Sequence, residues 1–123
     1  EYEKLVRANG RYLRRYRDNA KIMGVIEEVS RYDDQVKEAR IQRQKHFADR
    51  AERSIRRLQA ENQADSRVDT SIAALALGSM VARSAELWLV EGWDNYDFDT
   101  TVEQLTLLWA NAIGLDEESR SRS

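Results

Sequence analysis

Few side chains in this chain of 123 residues could carry out covalent chemistry. It has one histidine, His46, and no cysteine. A Cys–His nucleophile pair is therefore impossible within it, and no second histidine stands at the i+3 or i+4 position that a helical metal site needs. Glu27 and Glu28, like Asp33 and Asp34, are adjacent carboxylates, but sequence neighbours on a helix point apart, so they read as caps and solvated groups. No glycine-rich phosphate loop is present. The residues predict neither catalysis, nor a bound metal, nor a cofactor. The stronger signal is polar side chains set into apolar stripes. Asn9, Tyr12, Tyr16, Arg50 and Ser84 fall beside Met23, Ile26, Phe47, Met80 and Trp88 at helical spacing. A mainly apolar wall with a few hydrogen-bonding groups is what a buried small-molecule site requires, and these ten are the candidate ligand-binding residues. Read from spacing alone, the same Met, Tyr and Trp pattern is also that of a plain hydrophobic core.

The elements that must hold these residues are helices. The chain has no proline, five glycines and 34% charged residues, with apolar positions recurring at i, i+3, i+4 and i+7, so the fold class is all-α and the length fits one domain. A first helix runs from about Glu1 to Arg17 with Tyr2, Leu5, Val6, Asn9, Tyr12, Leu13 and Tyr16 on one stripe. Asn9 must find a partner there, either on a neighbouring helix or in a cavity. Asp18 or Asn19 caps a second helix with Ile22, Met23, Ile26 and Val29 inward, ending near Tyr32. Gly24 inside it marks close packing or a local irregularity, since glycine costs a helix about 1 kcal/mol against alanine. Asp33 or Asp34 then caps a long third helix reaching Asn62, with Val36, Ala39, Phe47, Ala51, Ile55 and Leu58 inward. Its stripe weakens where His46 and Arg50 flank Phe47; these side chains either snorkel past the core edge or point into a polar end of a pocket.

After the linker Ala64–Asp69 comes Ser71 to Gly92, the most apolar stretch, capped by Asp69 or Thr70 and ended by Gly92. Apolar residues lie on nearly every side of it, so it needs neighbours on at least two faces. Arg83 interrupts the run after about half of the ~20 residues a bilayer requires, which argues against a membrane span. Arg83 and Glu86 form an i, i+3 ion pair near an interface. Thr100 to Glu103 fits a capping box for a last helix carrying Val102, Leu105, Leu108, Trp109, Ala112 and Ile113 up to Gly114. The polar residues 116–123 are expected to be a disordered tail.

Charge is uneven. Through Asn62 there are 16 basic and 11 acidic residues, from Gln63 onward 4 basic and 11 acidic, and the whole carries −2. The basic residues alternate with acidic ones at helical spacing, as on a solvated face, rather than forming the uniform stripe expected of a phosphate-binding surface. No signal peptide or lipidation motif is seen, and the absence of cysteine is compatible with a reducing, cytoplasmic setting. The opening EYEKLVR is already in helical register and reads as a piece of a longer protein.

Four segments, ANGRYLRRYRDNAKIMGVIEEVSRYD, QRQKHFADRAERSIRRLQAE, ALGSMVARSAELWLVEG and LTLLWANAIGL, together resemble the effector-binding region of tetracycline-repressor-type (TetR family) transcriptional regulators. The resemblance spans roughly Tyr2 to Leu115. It implies an all-α antiparallel bundle of about five helices, residues 1–115, that binds a small apolar or amphipathic effector and forms a homodimer. The last two long helices of each subunit would pair into a four-helix interface, here assigned to Ala82, Arg83, Glu86, Leu105 and Trp109. It also implies a transcriptional repressor released from operator DNA by its ligand, with DNA bound only through an N-terminal helix-turn-helix that has no counterpart in these residues. The competing expectation is a helical protein-interaction or scaffold module without a pocket.

Overall fold

The computed structural model describes residues 1–121. Among them there are only helices: α1 (Tyr2–Asp18), α2 (Ala20–Val29), α3 (Asp34–Ala60), α4 (Thr70–Ala85) continued by a π-helical turn (Glu86–Val90), α5 (Phe98–Ile113) and α6 (Glu117–Ser121).

The ends follow side-chain capping, though not always at the expected residue. Asp33 accepts from the Gln35 and Val36 amides and starts α3, and Asp69 accepts from the Ile72 amide and starts α4. The capping box at Thr100 does not form. Asp97 caps α5 instead, accepting from the Thr100 amide at 3.0 Å and from the Thr100 hydroxyl at 2.8 Å, so the helix begins a turn earlier. Neither Asp18 nor Asn19 caps α2 by its side chain. The Asn19 amide instead donates back to the Arg15 carbonyl and closes α1. Gly92 and Gly114 adopt left-handed φ of +67° and +65° and end their helices as glycine can. The region after Leu115, expected to be disordered, is helical as far as Ser121. The Ser119 amide donates to Asp116, and the Arg120 guanidinium reaches the Leu115 carbonyl and the Asn111 side chain. These bonds replace the water that would otherwise solvate a polar tail. The last two residues of the expected tail, 122 and 123, lie outside the described residues.

The core joins α1, α3, α4 and α5: Leu13 and Tyr16 meet Ile55, Leu58, Leu77, Val81, Val102, Trp109 and Ile113. α3 packs along α4, α1 along α5, and α2 against the π-turn. Glycine at position 24 marks that last contact, because a Cβ there would lie 3.1 Å from Val90 Cγ1. The connection between α3 and α4 is held by Gln59, whose amide donates to the Asp65 and Val68 carbonyls, and by the Asp65 amide bonding the Ile113 carbonyl.

Several expected inward positions are not covered. Ile22 and Phe47 are exposed, and so is Ala39, while His46 and Arg50, expected either past the core edge or in a polar pocket end, are exposed as well. The helical periodicity there is real, but α2 is short and the middle of α3 extends past the helices that would cover it. Thr70–Val90 is long and apolar enough by composition to cross a bilayer, yet only 28% of its most apolar window lies buried within this chain.

Candidate functional site

The ten candidate ligand-binding residues do not converge on one cavity. Asn9 is spent within the fold: its amide donates to the Thr106 hydroxyl at 3.0 Å, and that hydroxyl donates on to the Val102 carbonyl. This is the interhelical partner its stripe position required. Tyr12 stacks near Tyr16 and, edge-on, near Phe47 across the α1–α3 contact. Met23 and Met80 pack against the core edge, Ile26 is half-buried and Arg50 points to solvent. Ser84 and Trp88 face a separate, open groove.

That groove has a volume of about 400 Å³ and runs between the π-turn and α5 beneath the connecting loop. Leu87, Trp88, Trp93, Tyr96 and Leu105 supply its apolar and aromatic lining, and Ser84, Thr100, Thr101 and Gln104 its polar lining. Trp88 also packs on Phe98, with ring centroids 5.7 Å apart. The loop stands where it does because Gly92 turns the chain and the Trp93 amide bonds back to the Leu87 carbonyl. A second open concavity of about 440 Å³ lies between the start of α1 and α5, lined by Tyr2, Val6, Glu103 and Leu107 among others.

The residues assigned to a dimer interface divide in a similar way. Leu105 and Trp109 are buried in the chain's own core, and Glu86 is 8% exposed, so these three are internal. Ala82 is half-buried and Arg83 exposed. The apolar side chains that α4 and α5 do leave outward are Ile72 and Leu75, 65% and 66% exposed, with Leu107 and Leu108.

The main polar cluster was not foreseen. Glu27 of α2 is hydrogen-bonded to Glu86 of the π-turn, and each carboxyl has its own guanidinium, Arg40 on Glu27 and Arg83 on Glu86. Burial, and then the bond to Glu86, push the Glu27 carboxyl above its ordinary value of 4.5. Burial acts on Glu86 as well, but the bonds from Glu27 and Arg83 outweigh it and hold Glu86 below the ordinary value. The two carboxyls are thus shifted apart, Glu27 upward and Glu86 downward, while Glu27 keeps its ion pair with Arg40. The Tyr16 hydroxyl, raised by burial and by the charges of Glu27, Tyr12 and Glu86, is buried nearby without a hydrogen-bond partner among the described residues. The signal for Glu27 was its place one turn beyond Met23 on the inward row of α2. Its partner lies far along the chain, which no spacing rule reveals.

Among the described residues no three His, Cys, Asp or Glu side chains are placed to hold a metal ion. Comparison with protein-family models, with curated proteins and with solved structures returned no match.

Proposed function

We propose that this chain is the effector-sensing and dimerisation region of a TetR-like transcriptional regulator, a repressor released from operator DNA by a small apolar or amphipathic ligand. The resemblance of its four segments supports this reading. The observation that carries it is that each of the two helices the family would pair leaves large apolar side chains exposed, Ile72 and Leu75 on α4, Leu107 and Leu108 on α5. Single exposed apolar side chains are ordinary, but several on the same pair of helices offer surface that a partner would cover. The pairing face accordingly moves from Leu105 and Trp109, which the core consumes, to these outward residues.

In such a dimer a ligand acts by binding one conformation better than another and so shifting the geometry of the two halves. Light scattering tests the reading: the chain should be a dimer at micromolar concentration, and Leu75→Glu should be a folded monomer. A wild-type monomer at that concentration would sink it. One observation favours the second reading, a helical interaction module without a ligand: the concavities are open grooves rather than an enclosed chamber. A ligand screen by thermal shift separates the two, since a module of that kind gives no stabilised hit.

A further inference from the structure

We infer that the groove between the π-turn and α5 is a binding site for a planar aromatic cation. The inference deepens the effector-binding reading, and rests on it for the ligand's regulatory role. Three observations carry it. The first is shape and surface: Trp93 and Tyr96, 69% and 52% exposed, line the groove together with Trp88, Leu87 and Leu105. A flat ring system seated there would lie among three aromatic side chains and two leucines. The volume of about 400 Å³ falls in the range of small-molecule sites.

The second observation is charge. No lysine, arginine or histidine occurs between Arg83 and Arg120, whereas Glu91, Asp94, Asp97, Asp99 and Glu103 sit on and beside the loop that supplies the aromatic wall. Hydrogen bonds from the Thr100 amide and hydroxyl hold the Asp97 carboxyl below its ordinary range, so it stays charged. The acidic residues of this loop outnumber Arg17, a basic group the structure places against the cluster, so a cationic ligand is favoured over an anionic one.

The third is that the aromatic cluster already carries a cation at its outer edge. The Arg17 guanidinium lies 4.4 Å from the centre of the Phe98 ring, and Phe98 in turn packs on Trp88. Ring faces attract cations through their quadrupole, indole most strongly. Arg17 is itself paired with Asp18 at 3.4 Å, which leaves the acidic loop without a basic partner from this edge. Trp93 and Tyr96 add two further exposed rings to the groove.

The test compares two probes with the same three fused rings on the intact chain: 10-methylacridinium, which is always charged, and acridine at mildly alkaline pH, where it is neutral. Binding is followed by quenching of tryptophan fluorescence, with light scattering on the same samples. The expected result is saturable binding at one site per chain, with methylacridinium favoured by about tenfold and the preference shrinking as salt is added. Trp93→Ala, at an exposed loop position, should weaken methylacridinium by about tenfold, and Asp94→Asn combined with Asp99→Asn should reduce the preference for charge. Equal affinity for the two probes, quenching without saturation, or full affinity in Trp93→Ala would overturn the assignment. A dimer that binds neither probe rejects this site and leaves the effector-binding reading standing. A monomer that binds methylacridinium with the expected selectivity keeps the site and rejects the dimeric regulator.

Discussion

Asn9 and Glu27 show at the scale of single residues how a polar group enters an apolar environment. Asn9 does so with its partner, Thr106, already in place. Removing one member of a buried hydrogen bond leaves the other unsatisfied, so Asn9→Ala should cost about 1–2 kcal/mol in urea unfolding. A neutral result would mean that Thr106, still donating to Val102, needs no second partner. Glu27 enters beside a second carboxyl, Glu86, and with Arg40 as its ion-pair partner. Its folded pKa lies above the ordinary 4.5, so its contribution to stability is complete below that value and is lost as pH rises through the folded pKa. Glu86, held below the ordinary value, contributes in the opposite sense, above 4.5 and lost as pH falls. Glu27→Gln keeps a donor toward Glu86 at every pH. Unfolding measured across a pH series should then lose the part of the expected pH dependence above 4.5 that belongs to Glu27; an unchanged slope would mean that the Glu27 carboxyl contributes nothing to it.

Element boundaries are set by short-range competition between caps. The sequence offers Asp97 and the Thr100–Glu103 box within one turn of each other. Asp97 wins because one carboxylate accepts both the amide and the hydroxyl of Thr100, which removes that hydroxyl from the box. Asp97→Ala should therefore cost about 1 kcal/mol by thermal or urea unfolding, while Glu103→Ala should be close to neutral. The reverse order would restore the box. The π-turn after α4 is a similar case. It closes through the Glu91 amide on the Glu86 carbonyl and carries Glu86 to Glu27 and Val90 to Gly24. Gly24 was legible as a sign of close packing or irregularity, but the element it meets lies sixty and more residues away.

For the molecule as a whole the question is what covers α4. Its most apolar window is 28% buried, less than a helix of this composition needs for itself. If a second copy supplies the cover, folding and association are linked, and the melting temperature should rise with protein concentration across the micromolar range. A melting temperature independent of concentration would argue that the exposed row is tolerated in a monomer. The uneven charge belongs to this scale too: between Arg83 and Arg120 every charged residue is acidic, so charge is divided along the chain although the net charge is small.

By itself the sequence determined the all-helical class, the approximate span of the five longer helices and the aspartate and glycine positions that start or stop several of them, because periodicity, capping and left-handed turns are local in physical origin. It also determined that α4 is too apolar to be solvated. Which side chains converge was decided only by tertiary packing. Leu105 and Trp109 are apolar and equally suited to a core or an interface, and the way α5 rotates against α1 and α4 assigned them to the core and left Leu107 and Leu108 outside. Asn9, Tyr16 and Trp88 share the same kind of stripe, yet they end in a hydrogen bond, beside a carboxyl pair and in an open groove. The reason is that contact depends on the relative rotation and reach of several helices, and a periodic pattern fixes a face without fixing what it meets.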